Sequence, residues 1–271
     1  MPEQEKINSL IENSGIITHK KVIDLFRKNG WNLVISPYYY DNILNNVREI
    51  DLIAEKSFGS CTDLSQSKCI IDVQLFIECK YINQEIAFWF DKMDEDRAVK
   101  KLEAETGLKI HHKRYSADIP KNDFRHLKQE KVAKLFTSNL NNQDIIFKAI
   151  TQCLNAQIYY KEWHVKSRIS KETRSAKSMI NTFRIPIIIC DNFEKLQEVS
   201  FPNSKLMDEL KYSIKEIDKS FLLEIYYTYL NKDNNAKTDY FLIDIVNIEN
   251  VEDFFNELEK EIKAIIEVKI F

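Results

Sequence analysis

FIECK, residues 76–80, is the stretch on which the reading of this chain turns. Phe76, Ile77 and Cys79 are apolar and predict a buried strand. Inside that strand stand a carboxylate, Glu78, and an amine, Lys80. Strand side chains alternate faces, so residues two apart share a face and their tips lie close together. A charge buried without a partner is costly, so the pair points to a counter-ion or a chemical task. The other reading of the pentapeptide is an ordinary Glu–Lys pair on a solvated face.

A second strand-like run lies upstream: VREIDLIA, residues 47–54, apolar at Val47, Ile50, Leu52, Ile53 and Ala54. Asp51 falls in the middle of it, where an acid suits a strand poorly. The polar segment 55–68 between the runs predicts a long antiparallel hairpin. That pairing brings Asp51 beside Glu78 and Lys80. Carboxylates meeting at one point make an oxygen-rich site for a hard divalent cation. Such an ion polarises a phosphodiester and activates water, while an ammonium steadies the developing charge.

Asp51 followed by Glu78-Cys79-Lys80 resembles the PD-(D/E)xK nuclease superfamily, the restriction-endonuclease-like fold of Holliday-junction resolvases and many restriction enzymes. That family carries an acid on its second core strand and (D/E)-x-K on its third. Arg48-Glu49-Ile50-Asp51 is similar to the REID variant of resolvase-like members, with Ile50 where the nominal pattern has Pro. Residues 15–160 carry the resemblance best. It implies an α/β fold with a mixed central sheet flanked by helices. It also implies Mg²⁺ or Mn²⁺ held by Asp51, Glu78 and the carbonyl of Cys79. By the same resemblance Lys80 orients or deprotonates the attacking water, or stabilises the pentavalent phosphate.

The chain departs from the family in two further places. Many members carry a Glu on the first helix; here that region reads IITHKK, leaving His19 or Glu12 to serve. Exonuclease-like members place Gln-x-x-x-Tyr on a later helix; here Gln152 is followed four residues on by Ala156. Gln152 is therefore either a site-lining group or an ordinary surface or core glutamine. Glu49, two residues before Asp51, is expected on the same strand face as an accessory ligand, and Arg48 as a phosphate contact.

The chain has 271 residues, 44% of them hydrophobic and 30% charged with mixed sign, which suits a packed core rather than disorder. Glycine is scarce, at 4 residues, and no phosphate-cradling glycine motif occurs. There is no run of 18 apolar residues and no signal-like start, so a cytoplasmic protein without a membrane partner is expected. The five cysteines show no C-x-x-C spacing and are expected as reduced core thiols.

The net charge of −3 conceals an asymmetry. Residues 97–184 carry 19 Lys/Arg against 8 Asp/Glu, while residues 191–271 carry 10 against 18. A basic middle in an acidic chain reads as a phosphate-binding face, the alternative being a solvated helical surface. Lys113, Arg114, Arg168, Lys171 and Arg174 are the candidate backbone contacts. The stretch 161–177 is expected as a basic arm over the substrate, or as a solvated helix.

The remaining pattern predicts a helix over 18–28 with Thr18 as N-cap and a strand over 31–36. A loop is expected from Tyr38-Tyr39-Tyr40, packed on the sheet or stacked on bases. Residues 86–90 read as a strand or a buried helix start, and 94–106 as a helix stopped by Gly107. His111 and His112 are adjacent and make a poor metal pair. Helices are expected over 128–137, 144–163, 203–220 and 250–268, a buried strand over 184–190, and paired strands over 221–230 and 240–246.

Together these predict one domain, 1–271, with a core over about 15–190 and a strand-hairpin and helix extension over 191–271. The expected function is metal-dependent cleavage of nucleic acid, DNA ahead of RNA, in defence or repair. The alternatives are a catalytically inactive module binding nucleic acid or protein, or a subunit of a multiprotein defence complex. The acidic C-terminal half would then be the protein or homodimer interface.

Overall fold

The computed structural model describes residues 5–8, 11, 15–61, 68–111, 119–138, 145–163, 179–201 and 212–270. Helix α1 (Ile16–Lys28) starts from Gly15 in the left-handed region, φ 74°, and buries Val22 and Phe26. Thr18, expected as the N-cap, lies one residue further inside the helix than Ile17, and its hydroxyl reaches Asp191 at 3.3 Å instead.

Strands β1 (Asn32–Ile35), β4 (Leu52–Cys61) and β5 (Lys68–Tyr81) form an antiparallel meander. Between β1 and β4 the chain makes a separate ribbon, β2 (Tyr38–Asp41) against β3 (Asn46–Glu49). The three tyrosines are thus a strand, not a loop. Alternation buries Tyr39 and leaves Tyr38 and Tyr40 exposed. Buried Asp41 closes the ribbon, accepting from the N–H groups of Ile43 (3.0 Å) and Leu44 (3.1 Å), and from Arg48 and Asn155.

The run 47–54 is not one strand. β3 stops at Glu49 and β4 starts at Leu52. Ser36 still donates to the Asp51 carbonyl at 2.9 Å, but Pro37 has no N–H, and its carbonyl instead accepts from Ile50 at 3.1 Å. Asp51 therefore sits at a bend before β4 rather than mid-strand, which relieves the poor fit of an acid to a strand.

The main sheet has ten strands among the described residues. After β5 come β6 (Ile86–Lys92), β9 (Lys131–Ser138), β10 (Met179–Asp191), β11 (Leu196–Ser200), β12 (Ser213–Glu216), β13 (Phe221–Leu230) and β14 (Ala236–Asn247). A small parallel pair, β7 (Ile110–His111) and β8 (Ile119–Pro120), stands apart. The order across the main sheet is β1-β4-β5-β10-β14-β13-β9-β6-β11-β12, with β10 parallel to both β5 and β14. β10 reads as a near-continuous apolar run because it is covered on both faces. Pro186 stands just ahead of Ile187, the first β10 residue paired with β14, where a missing N–H breaks no ladder on that side.

One expected helix is a strand, and a second is strand over part of its described residues. Residues 131–138 form β9, because Val132 and Ala133 are buried and the strand pairs with β6 and β13. Tertiary pairing here outweighs a pattern that reads equally as helical. Within 203–220, residues 213–216 are edge strand β12 against β11; residues 202–211 lie outside the described residues.

Helix α2 (Glu95–Thr106) is capped by Asp94, which accepts from the Arg97 N–H at 3.1 Å, and ends at Gly107, φ 69°. Helices α3 (Ile145–Glu162) and α4 (Val251–Ile270) lie where the periodicity predicts them. Helices α1, α2 and α4 share a core with Leu75, Ile77, Ile187 and Leu242 on one face of the sheet. Helix α3 packs on the other face, against Ile188, Ile243 and Ile245. Each fully buried large apolar side chain adds about 1.5–3 kcal/mol. Below α4 an ionic group is buried: the Arg125 guanidinium holds both Asp244 oxygens, Nε lies 3.1 Å from Glu261, and His126 reaches Asp244 at 3.1 Å. Among the described residues, no helix is long and apolar enough to cross a membrane.

Candidate active site

β4 begins where β5 and β10 end, and the first turns of α1 lie over that edge. Leu52 pairs with Ile77, so Asp51 falls beside Glu78. The Asp51 carboxylate accepts from the Cys79 N–H at 2.8 Å, and the Asp51 N–H donates to Glu78 Oε1 at 3.3 Å. Lys80 Nζ lies 2.5 Å from Glu78 Oε2 and 3.5 Å from Asp51 Oδ2. His19 Nε2, from α1, is 3.2 Å from the same Asp51 oxygen. Four side chains from three elements converge on one point.

Their electrostatics follow from burial and company. Glu78 is fully buried, and that burial, helped by Asp51 and resisted by Lys80, pushes its carboxyl up to about 7. Burial disfavours the Asp51 anion, but the His19 hydrogen bond and the Lys80 charge prevail and hold it below the usual carboxylate range. The hydrogen bond to Asp51 raises His19. Burial opposes the Lys80 charge, and Glu78 and Asp51 outweigh it, raising the amine. Lys80 thus occupies the place of a cation between two acids.

Compared with known proteins, the chain matches no family model, no curated protein and no solved structure.

Among the described residues, a His19 ring nitrogen, an Asp51 oxygen and Cys79 Sγ lie within 4.8 Å of one another, a spacing that could hold a metal ion. Glu78 adds a second carboxylate beside them, its Oε2 turned to Lys80. Cys79 also donates its N–H to Asp51. Its thiol is buried and held neutral.

The other expected residues separate. Glu49 lies on β3, beyond the bend, so it does not share a strand face with Asp51; its carboxylate raises the Tyr38 phenol instead. Arg48 is the counter-ion of buried Asp41 at 3.4 Å rather than an open phosphate contact. Gln152 donates to the Glu49 carbonyl at 3.0 Å, and its Oε1 is buried without a partner. It tethers α3 to the segment that carries Asp51. Lys113, Arg114, Arg168, Lys171 and Arg174 lie outside the described residues, as does most of the expected basic arm.

Asp191 is the site-edge residue that the motif does not name. Cys190 pairs with Lys80, which places Asp191 at the same sheet edge, holding Lys21 at 3.0 Å and Thr18 at 3.3 Å. Its signal in the sequence is an acid directly after the apolar run RIPIIIC. Tyr39 and Cys153 also border Glu78; burial raises both, and the Tyr39 hydroxyl is buried without a partner.

Proposed function

We propose that this protein is a metal-dependent phosphodiesterase acting on nucleic acid, with DNA ahead of RNA, in defence or repair. The observation that carries this reading is Lys80 reaching both Asp51 and Glu78 at the end of adjacent strands. The antiparallel meander after α1 supports a restriction-endonuclease-like arrangement, with the acid entering the second meander strand and E-x-K on the third. The basic balance of residues 97–184 supports a polyanionic substrate.

Asp51, Glu78 and His19 would hold Mg²⁺ or Mn²⁺, which supplies Lewis-acid activation of the phosphodiester and of water. Lys80 has its ammonium at the acids and is placed to stabilise charge that builds on the phosphate oxygens. Asp51, ionised and bonded to Cys79, fixes the site to the β5 backbone. The His19 imidazole holds the other side of Asp51 and ties α1 to the site.

The test is cleavage of labelled single- and double-stranded DNA and RNA with EDTA, Mg²⁺ or Mn²⁺. Cleavage that requires metal and disappears in Asp51→Asn supports the reading. A second reading has one observation in its favour: Glu78 is fully buried and already paired with Lys80, as in a closed ion cluster. That cluster belongs to a binding module without chemistry. Nucleic acid bound but left intact with both metals would decide for it.

A further inference from the structure

Asp51 is reached from both faces of the sheet. Its carboxylate accepts the Cys79 N–H at 2.8 Å, in a ladder position, and so lies near the plane of the strands. Glu78 and Lys80 approach it from one face, where Glu78 stands beside Ile188, a residue of the core under α3. Cys79 is the next residue along β5 and turns to the other face, into the core with Leu75, Ile77 and Val22 of α1. His19 comes from that helix and meets the same Asp51 oxygen as Lys80, at 3.2 Å.

The two faces therefore offer different donors. On the α3 face Asp51 and Glu78 present oxygens only. On the α1 face a ring nitrogen, a carboxylate oxygen and a thiol lie within 4.8 Å of one another. Mg²⁺ and Mn²⁺ favour oxygen over sulfur. Nitrogen, oxygen and sulfur from three side chains are the donor set of a zinc-class ion, with water in the fourth position. Tetrahedral bonds of ~2.0–2.3 Å put ligand atoms ~3.3–3.8 Å apart, so the sulfur has about 1 Å to close at most. The His19 side chain is 33% exposed, which gives the ion a way in from solvent.

We propose that His19, Asp51 and Cys79 form a site for Zn²⁺ or a like ion, and that filling it inhibits the Mg²⁺-dependent reaction. Asp51 and His19 serve both donor sets, so one ion excludes the other. As the metal–sulfur bond forms, the Cys79 thiol gives its proton to solvent. The inhibition rests on the nuclease reading; the binding does not.

Absorption titration of the full chain with Co²⁺, a coloured stand-in for zinc, tests this. A sulfur-to-cobalt charge-transfer band is expected, and Zn²⁺ should bleach it. The band should vanish in Cys79→Ala and Cys79→Ser. It should persist in Glu78→Gln and in Cys190→Ala, which removes a thiol from the α3 face. Co²⁺ affinity should fall by more than about tenfold in both Cys79 variants, since losing even an outer partner of a ligand costs that much. X-ray absorption at the zinc edge reads the wild-type protein directly, whether or not a variant folds, and should show one sulfur at about 2.3 Å. Zn²⁺ should slow Mg²⁺-dependent cleavage, and Cys79→Ser should relieve the slowing, each protein being compared with its own Mg²⁺ rate. A thiolate band in a protein that cuts nothing establishes the site and removes the inhibition together with the nuclease reading. No sulfur around bound zinc, or a band that survives both Cys79 variants, overturns the site. Zinc bound through sulfur with cleavage undiminished overturns the inhibition.

Discussion

The Asp51 carboxylate occupies a position in a β-ladder. An unbroken β4 would set Ile50 opposite Cys79; the chain bends instead, and Asp51 accepts the Cys79 N–H at 2.8 Å. A side chain thereby completes the backbone pairing of β5 and is held rigidly to it, as a group that must place charge accurately needs to be.

Asp51→Asn keeps an acceptor for Cys79 and removes the charge. Cleavage should fall at least about a thousandfold while the thermal midpoint moves by only a few degrees. Single-turnover kinetics and a melting curve check this together; full cleavage by a folded variant removes Asp51 from the chemistry.

Lys80→Met should separate two properties. Its ammonium repels an incoming cation at the Asp51–Glu78 pair, so its loss should tighten Mn²⁺ binding, by about tenfold after screening. Cleavage should nevertheless collapse. Titration calorimetry with Mn²⁺ reads the first effect, and a gel assay the second.

Metal affinity should follow Glu78. Its carboxyl is pushed up to about 7, so below that pH an incoming ion must displace a proton. Apparent affinity should drop at least about tenfold per pH unit below 7, and more steeply where the raised His19 must also give up its proton. The same shift has a stability sign. The folded value lies above the ordinary 4.5, so the contribution of Glu78 is fully present below about 4.5 and is lost as pH rises through about 7. Glu78→Gln should flatten the pH dependence of Mn²⁺ binding; an unchanged profile points to another titrating group.

Arg125→Ala should destabilise the fold by about 3–5 kcal/mol, because it strands buried Asp244 and Glu261 as uncompensated acids. Denaturant unfolding measures this. A loss below about 1 kcal/mol would mean that the two carboxyls find other partners or protons.

Glu78, Lys80 and Asp51 are legible in the sequence because their relation is local: strand alternation joins the first two, and a hairpin delivers the third. Helices α3 and α4 are legible because long apolar periodicity survives any context. β9 is not, because the pattern KVAKLF serves a helix and a strand alike, and only its neighbours β6 and β13 decide. The bend at Asp51 depends on Pro37 facing Ile50, which requires β1 and β4 to be paired first. His19 is legible only as a substitute for a missing acid, and Asp191 belongs to the site through the register of β10 on β5.

The placement of β14 governs when the molecule becomes competent. β5 leans on β10, and β10 on β14, which is made of residues 236–247 and is inserted between strands translated earlier. A chain still emerging from the ribosome holds Asp51, Glu78 and Lys80 without the strand that braces their platform. Such long-range closure comes late in folding. On the proposed nuclease reading, this order keeps the platform under Asp51, Glu78 and Lys80 unbraced until β14 has been made.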